Sequence, residues 1–118
     1  MGTKFTAKIE KEYSGYQATG TPWENFVQTS RQELKSLPAV LLLPQDHKLK
    51  PLITRLQSNC SPQGLLEVGE SPSKEELERA YKKQAMVVHP DRNKDNVEIA
   101  TILFKAISEA RNVLENKR

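Results

Sequence analysis

Pro90 interrupts a helical periodicity that otherwise runs from residue 74 to residue 114. Ahead of it, Leu77, Ala80, Tyr81, Ala85 and Val88 recur at the spacing of one helix face. Behind it, Ile99, Ile102, Leu103, Ala106, Ile107, Ala110, Val113 and Leu114 do the same. A proline inside such a pattern has no N–H to give the helix and its ring clashes with the preceding turn, so the first helix must stop at Val88. Its start is marked by Ser73 with Glu76 three residues on, the pairing in which each side chain satisfies the other residue's backbone N–H. The pattern predicts a helix over about Lys74 to Val88, a polar loop from Asp91 to Asn96, and a second amphipathic helix of similar length. So short a connection forces the two to lie antiparallel. A brief helix at Gln63–Val68, with Leu65, Leu66 and Val68, would cover one side of the pair, making the fold all-α.

The upstream half carries weaker signals. Thr21, Pro22 and Glu24 read as N-cap, first helical residue and capping-box acid, which predicts a helix from Pro22 to about Leu37. Trp23, Phe26, Val27, Leu34 and Leu37 form its stripe, and Pro38 opposes continuation. Ala39–Leu43, closed by Pro44, is too short to type as helix or strand. Asp46 then caps a short helix carrying Leu49, Leu52, Ile53 and Leu56 and ending near Ser58, with Pro51 limiting its first turn. Asn59, Cys60, Ser61 and Pro62 break the chain. The expected organisation is a flexible tail over residues 1–20, a helical N-terminal extension over 21–59, and the hairpin unit over 60–118. The Trp23 stripe must either be buried within this chain or be kept for a client or scaffold protein, since bare apolar surface is disfavoured by water.

Composition narrows the function. At 118 residues and 36% hydrophobic, the chain can bury one modest core. It has no run of ~20 apolar residues, so a membrane span is not expected. Lys4, Lys8 and Lys11 are mixed with Glu10 and Glu12 near the start, unlike a signal or transit peptide, and an intracellular, cytoplasmic location is expected. The net charge of +3 comes wholly from the first half, because residues 60–118 hold ten basic and ten acidic side chains. That balance argues against nucleic acid as a partner. One cysteine cannot make an intramolecular disulfide, and His47 and His89 stand too far apart in sequence for a helical ligand pair, so neither metal nor cofactor is expected.

The loop itself reads HPDRN, His89 to Asn93. On its own residues, His89 is no more than a helix C-terminal group favoured by the dipole, with Asp91 capping a turn. Its surroundings add more. LLEV at Leu65–Val68, EELERAYKKQAMVVHPDRN at Glu75–Asn93 and FKAISEARNVL at Phe104–Leu114 together resemble the J-domain of DnaJ-type co-chaperones, over about Cys60 to Arg118. The resemblance implies a short first helix and an antiparallel hairpin whose His-Pro-Asp loop docks a DnaK-type chaperone of the heat-shock 70 class and triggers that partner's ATP hydrolysis. It assigns His89, Pro90, Asp91, Arg92 and Asn93 to the docking loop, and Arg79, Lys82 and Lys83 to a basic face meeting an acidic surface. Charge complementarity of that kind chiefly speeds encounter. Glu75–Arg79 and Glu78–Lys82 are also favourable i,i+4 pairs of an ordinary solvated face.

The chain departs from the family pattern at identifiable places. Glu67 stands where glycine is usual, Gln84 where leucine is usual and Arg111 where tyrosine is usual, while Glu78 and Val87 replace basic residues. Neither a glycine-phenylalanine-rich linker nor a CxxC repeat occurs, so a specialised J-protein, or the C-terminal piece of one, is expected. No nucleophile–base pair or phosphate-cradling loop suggests an enzyme. The competing reading is a helical protein-interaction module whose HPD loop is vestigial.

Overall fold

The computed structural model describes residues 22–58 and 61–116, and all its regular structure is helical. The tail expected over residues 1–20 lies outside the described residues. The extension comprises α1 (Trp23–Lys35), α2 (Pro38–Leu42) and α3 (Lys50–Gln57). The hairpin unit comprises α4 (Pro62–Leu66), α5 (Lys74–Val88), two 3-10 turns at Pro90–Arg92 and Lys94–Asn96, and α6 (Val97–Asn116).

α5 has the predicted bounds because both ends are written locally. The Ser73 hydroxyl accepts from Glu76 N–H at 3.1 Å, and the Glu76 carboxylate accepts from Ser73 N–H at 2.9 Å. At the other end His89 leaves helical geometry with ψ 135°, immediately before Pro90. α4 spans Pro62–Leu66 rather than Gln63–Val68, because the Ser61 hydroxyl caps it by accepting from Gly64 N–H at 3.1 Å. It ends in a left-handed residue, Glu67 at φ 62°, with Val68 N–H donating to the Gln63 carbonyl and Glu67 N–H to that of Gly64.

The extension differs from its sequence reading in three respects. α1 begins at Trp23, with Pro22 as N-cap rather than first helical residue: Pro22 has ψ 144°, and its carbonyl takes the Phe26 N–H at 3.0 Å. Thr21 lies outside the described residues. Asp46 does not cap α3. The chain makes two successive turns at Pro44–Lys50, the His47 ring Nδ1 accepts from Leu49 N–H at 3.1 Å, and the helix starts after Leu49, leaving Asp46 exposed and upstream. Ala39–Leu43 is mostly a helical turn, Pro38–Leu42, that buries Val40 and leaves Leu41 and Leu42 86% and 81% exposed.

One core runs through the described residues. α5 packs along α6 as an antiparallel pair, α4 lies against both, α1 packs on α6, and α3 bridges α1 and α4. Phe26, Val27 and Leu34 of α1 are buried together with Leu49, Leu52, Ile53 and Leu56, and with Leu65, Leu66, Leu103 and Ile107 of the hairpin unit. Trp23 is half-buried and stacks on Phe26 with ring centroids 5.8 Å apart. The extension is held by polar contacts too: Arg31 Nε donates to the Leu56 carbonyl at 2.7 Å and its Nη2 to that of Ser58.

Candidate functional site

The HPD turn sits at the end of the hairpin and is built inward and outward at once. Pro90–Arg92 forms a 3-10 turn in which Arg92 N–H donates to the His89 carbonyl and Asn93 N–H to that of Pro90, both at 3.0 Å. His89 faces inward: it is 2% exposed, its ring meets Phe104 of α6 edge-on at 5.4 Å, and its Nδ1 accepts from Asp91 N–H at 3.1 Å. Asn93, also buried, donates through Nδ2 to the carbonyls of Val87 and His89 at 2.9 and 2.8 Å, closing the open C-terminal end of α5. Asp91 and Arg92 are exposed and Pro90 half-buried.

Of the predicted docking residues, the structure therefore gives His89 and Asn93 the role of fixing the turn, and leaves Asp91 and Arg92 at its surface. Arg79, Lys82 and Lys83 lie at i, i+3 and i+4 on α5, the helix that runs into the turn, with Arg79 and Lys83 exposed and Lys82 half-buried. Leu77 and Tyr81 are core, and Phe104 packs against it.

Four of the departures from the family pattern meet in pairs, Glu67 with Gln84 and Glu78 with Arg111. The Glu67 carboxylate pairs with Arg55 of α3 at 3.3 Å and accepts from Gln84 Nε2 at 3.0 Å, while Arg55 Nη2 donates to Gln84 Oε1 at 3.3 Å. These three side chains tie the extension to α4 and α5. Arg111 pairs with Glu78 and, at 3.2 Å, with Glu115, and its guanidinium lies 5.4 Å from the centre of the Tyr81 ring. Glu78 is thus drawn toward α6. A further contact has no signal in the sequence: Lys48, from the turns preceding α3, donates through Nζ to the Arg92 carbonyl at 3.0 Å.

Two amphipathic helices joined by an inward His89 and an outward Asp91, with a short capped helix alongside, match what known sequences show independently. The DnaJ domain family matches residues 63–118. The C-terminal part of this chain is a J-domain. It is 43% identical over 53 residues to DnaJ homolog subfamily B member 2 of Mus musculus, an overlap of 45% of this chain and 16% of that protein. It is 50% identical over 52 residues to Chaperone protein DnaJ of Prosthecochloris aestuarii, covering 44% of this chain and 13% of the relative. With Chaperone protein DnaJ of Nitratiruptor sp. the identity is 51% over 53 residues, covering 45% and 14%. The chain therefore spans only about a sixth or less of the length of these relatives, and what it shares with them is the J-domain. No solved structure matches. Among the described residues, no helix is long and apolar enough to cross a membrane, and no group of three or more His, Cys, Asp and Glu side chains could hold a metal ion.

Proposed function

We propose that the chain is a co-chaperone that docks a heat-shock 70 class chaperone through the HPD turn and stimulates that partner's ATP hydrolysis, without itself catalysing a reaction. The observation that carries this reading is the division of labour within HPD. His89 Nδ1 and Asn93 Nδ2 hold backbone groups of the turn and of the end of α5, so Asp91 and Arg92 are held on a preformed 3-10 turn. Preorganisation of that kind lowers the ordering cost of binding. Arg79, Lys82 and Lys83 supply the flank that meets an acidic surface and speeds encounter. The extension serves as structural support, since its stripe is consumed by the shared core. The partner's compartment, intracellular on this reading, sets where the chain acts.

Asp91→Asn tests it. The residue is exposed and leaves His89 on Phe104, so helicity should be unchanged while stimulation of the chaperone's steady-state ATP turnover falls to its unstimulated level. Full stimulation by the folded variant would favour the interaction module with a vestigial loop.

A further inference from the structure

The J-domain's docking turn is touched by a residue from outside the J-domain. Lys48 lies 44 positions before Arg92 in sequence, on the exposed turn that leads into α3, and its ammonium reaches the Arg92 carbonyl. An ammonium carries three donors, and the carbonyl takes one. Because Arg92 directly follows Asp91, a protein surface seated on Asp91 and Arg92 comes within one residue's span of Lys48. The turn bearing Lys48 is also fixed at both ends. Upstream of α3, His47 Nδ1 holds Leu49 N–H; beyond it, Arg55 is joined to Glu67 and Gln84. Leu49, between them, is fully buried. Lys48 is thus carried on a rigid support beside the HPD turn rather than on a swinging segment.

We infer that the chaperone-docking surface continues from the HPD turn onto the extension, where Lys48 adds a cation directed at the partner's acidic face. This rests on the chaperone-docking reading above and adds Lys48, at the Arg92 carbonyl, to the basic residues Arg79, Lys82, Lys83 and Arg92. The docking unit is then the J-domain together with residues 44–50, and the extension contributes to how tightly this chain binds its chaperone.

The test uses the full chain with Lys48→Glu, Lys48→Gln and Lys48→Arg, and a purified heat-shock 70 class chaperone. The concentration of co-chaperone giving half-maximal ATPase stimulation is measured at low and high salt, with helicity recorded for each variant. Lys48→Glu should raise the half-maximal concentration about fivefold and Lys48→Gln about twofold, the scale of reversing and of losing one exposed charge. Lys48→Arg should stay near the parent, maximal stimulation should be unchanged, and the differences should shrink as the Debye length falls from ~10 to ~3 Å. Equal effects of Glu and Gln that ignore salt would mean the ammonium only steadies the Arg92 carbonyl, and would overturn the inference. So would a half-maximal concentration indifferent to all three changes while the parent stimulates normally. A parent chain that gives no stimulation would instead remove the co-chaperone reading, and this extension of it with it.

Discussion

The J-domain and the extension are both helical, yet they become helical for different reasons. In the J-domain, Ser61 and Ser73 cap α4 and α5 through their hydroxyls, and the His89 ring accepts a hydrogen bond at the start of the HPD turn. In the extension, the N-caps are Pro22, Leu37 and Leu49, and none of them makes a side-chain cap bond. A missing cap costs on the order of 1 kcal/mol per helix. The extension recovers that from tertiary packing, with Leu34, Leu49 and Leu56 completely buried. One region carries its folding instructions locally, whereas the other obtains them by docking.

The largest effect expected from this difference appears when the two are separated. The helices of the extension have 13, 5 and 8 residues, at or below the ~12–15 at which isolated helices become marginal in water. A peptide of residues 22–58 should give a coil spectrum by circular dichroism. A fragment of residues 60–118 should remain helical but melt at a lower temperature than the full chain, because the surfaces of α4 and α6 that face α1 and α3 lose their cover. A helical, cooperatively melting 22–58 peptide would erase the contrast.

A smaller effect should appear at the joint. Glu67 holds a left-handed conformation that costs a non-glycine residue about 1 kcal/mol, and its carboxylate meets Arg55 and Gln84. Glu67→Ala keeps the backbone cost and loses the contacts, so it should destabilise by roughly 0.5–1 kcal/mol, the range of a partly exposed pair. Glu67→Gly relieves the backbone while losing the same contacts, and should be close to neutral. Chemical denaturation of both variants, each repeated with Arg55→Ala, separates the two contributions; equal losses for Ala and Gly would show that the backbone conformation is immaterial.

These same residues mark where the sequence could be read and where it could not. α5 was legible to the residue because Ser73, Glu76 and Pro90 are local punctuation. α1 starts one residue later than its cap pattern implies, because Pro22 stays extended and its carbonyl takes the Phe26 N–H, and Asp46 makes no cap because the turns at 44–50 and the burial of Leu49 set where α3 begins. Ala39–Leu43 is too short for its pattern to type, and its helical turn is set by Pro38 and the burial of Val40. Glu67, Gln84, Glu78 and Arg111 were visible singly as departures from the J-domain pattern, but only their three-dimensional placement shows that they answer one another. The HPD motif marks the candidate site, whereas the burial of His89 against Phe104 and the approach of Lys48 depend on contacts between residues 15 and 44 positions apart. No local pattern encodes such contacts.

The smallest expected effect tests whether the local code of α5 is energetically distinct from the packing around it. The Glu76 carboxyl is held below its ordinary value of 4.5, first by the hydrogen bond from Ser73 N–H, then by the Ser73 hydroxyl, and to a lesser degree by the nearby Arg79 charge. In the unfolded chain those partners are gone and the group titrates near its ordinary value. A carboxyl with the lower value in the folded state contributes stability above its unfolded value, and that contribution is lost as pH falls through the folded value. Glu76→Gln keeps an amide oxygen able to accept from Ser73 N–H but cannot titrate. The melting temperature of the parent should therefore exceed that of the Gln variant at pH 6, and the gap should narrow as the pH is lowered below 4.5. Other carboxylates are common to both proteins and cancel in the difference, so the narrowing gap isolates this one cap. Because Glu76 is fully exposed, the gap should be the smallest of the effects described; one that does not narrow at all as the pH falls below 4.5 would mean the cap acts through the geometry of its hydrogen bond and not through its charge.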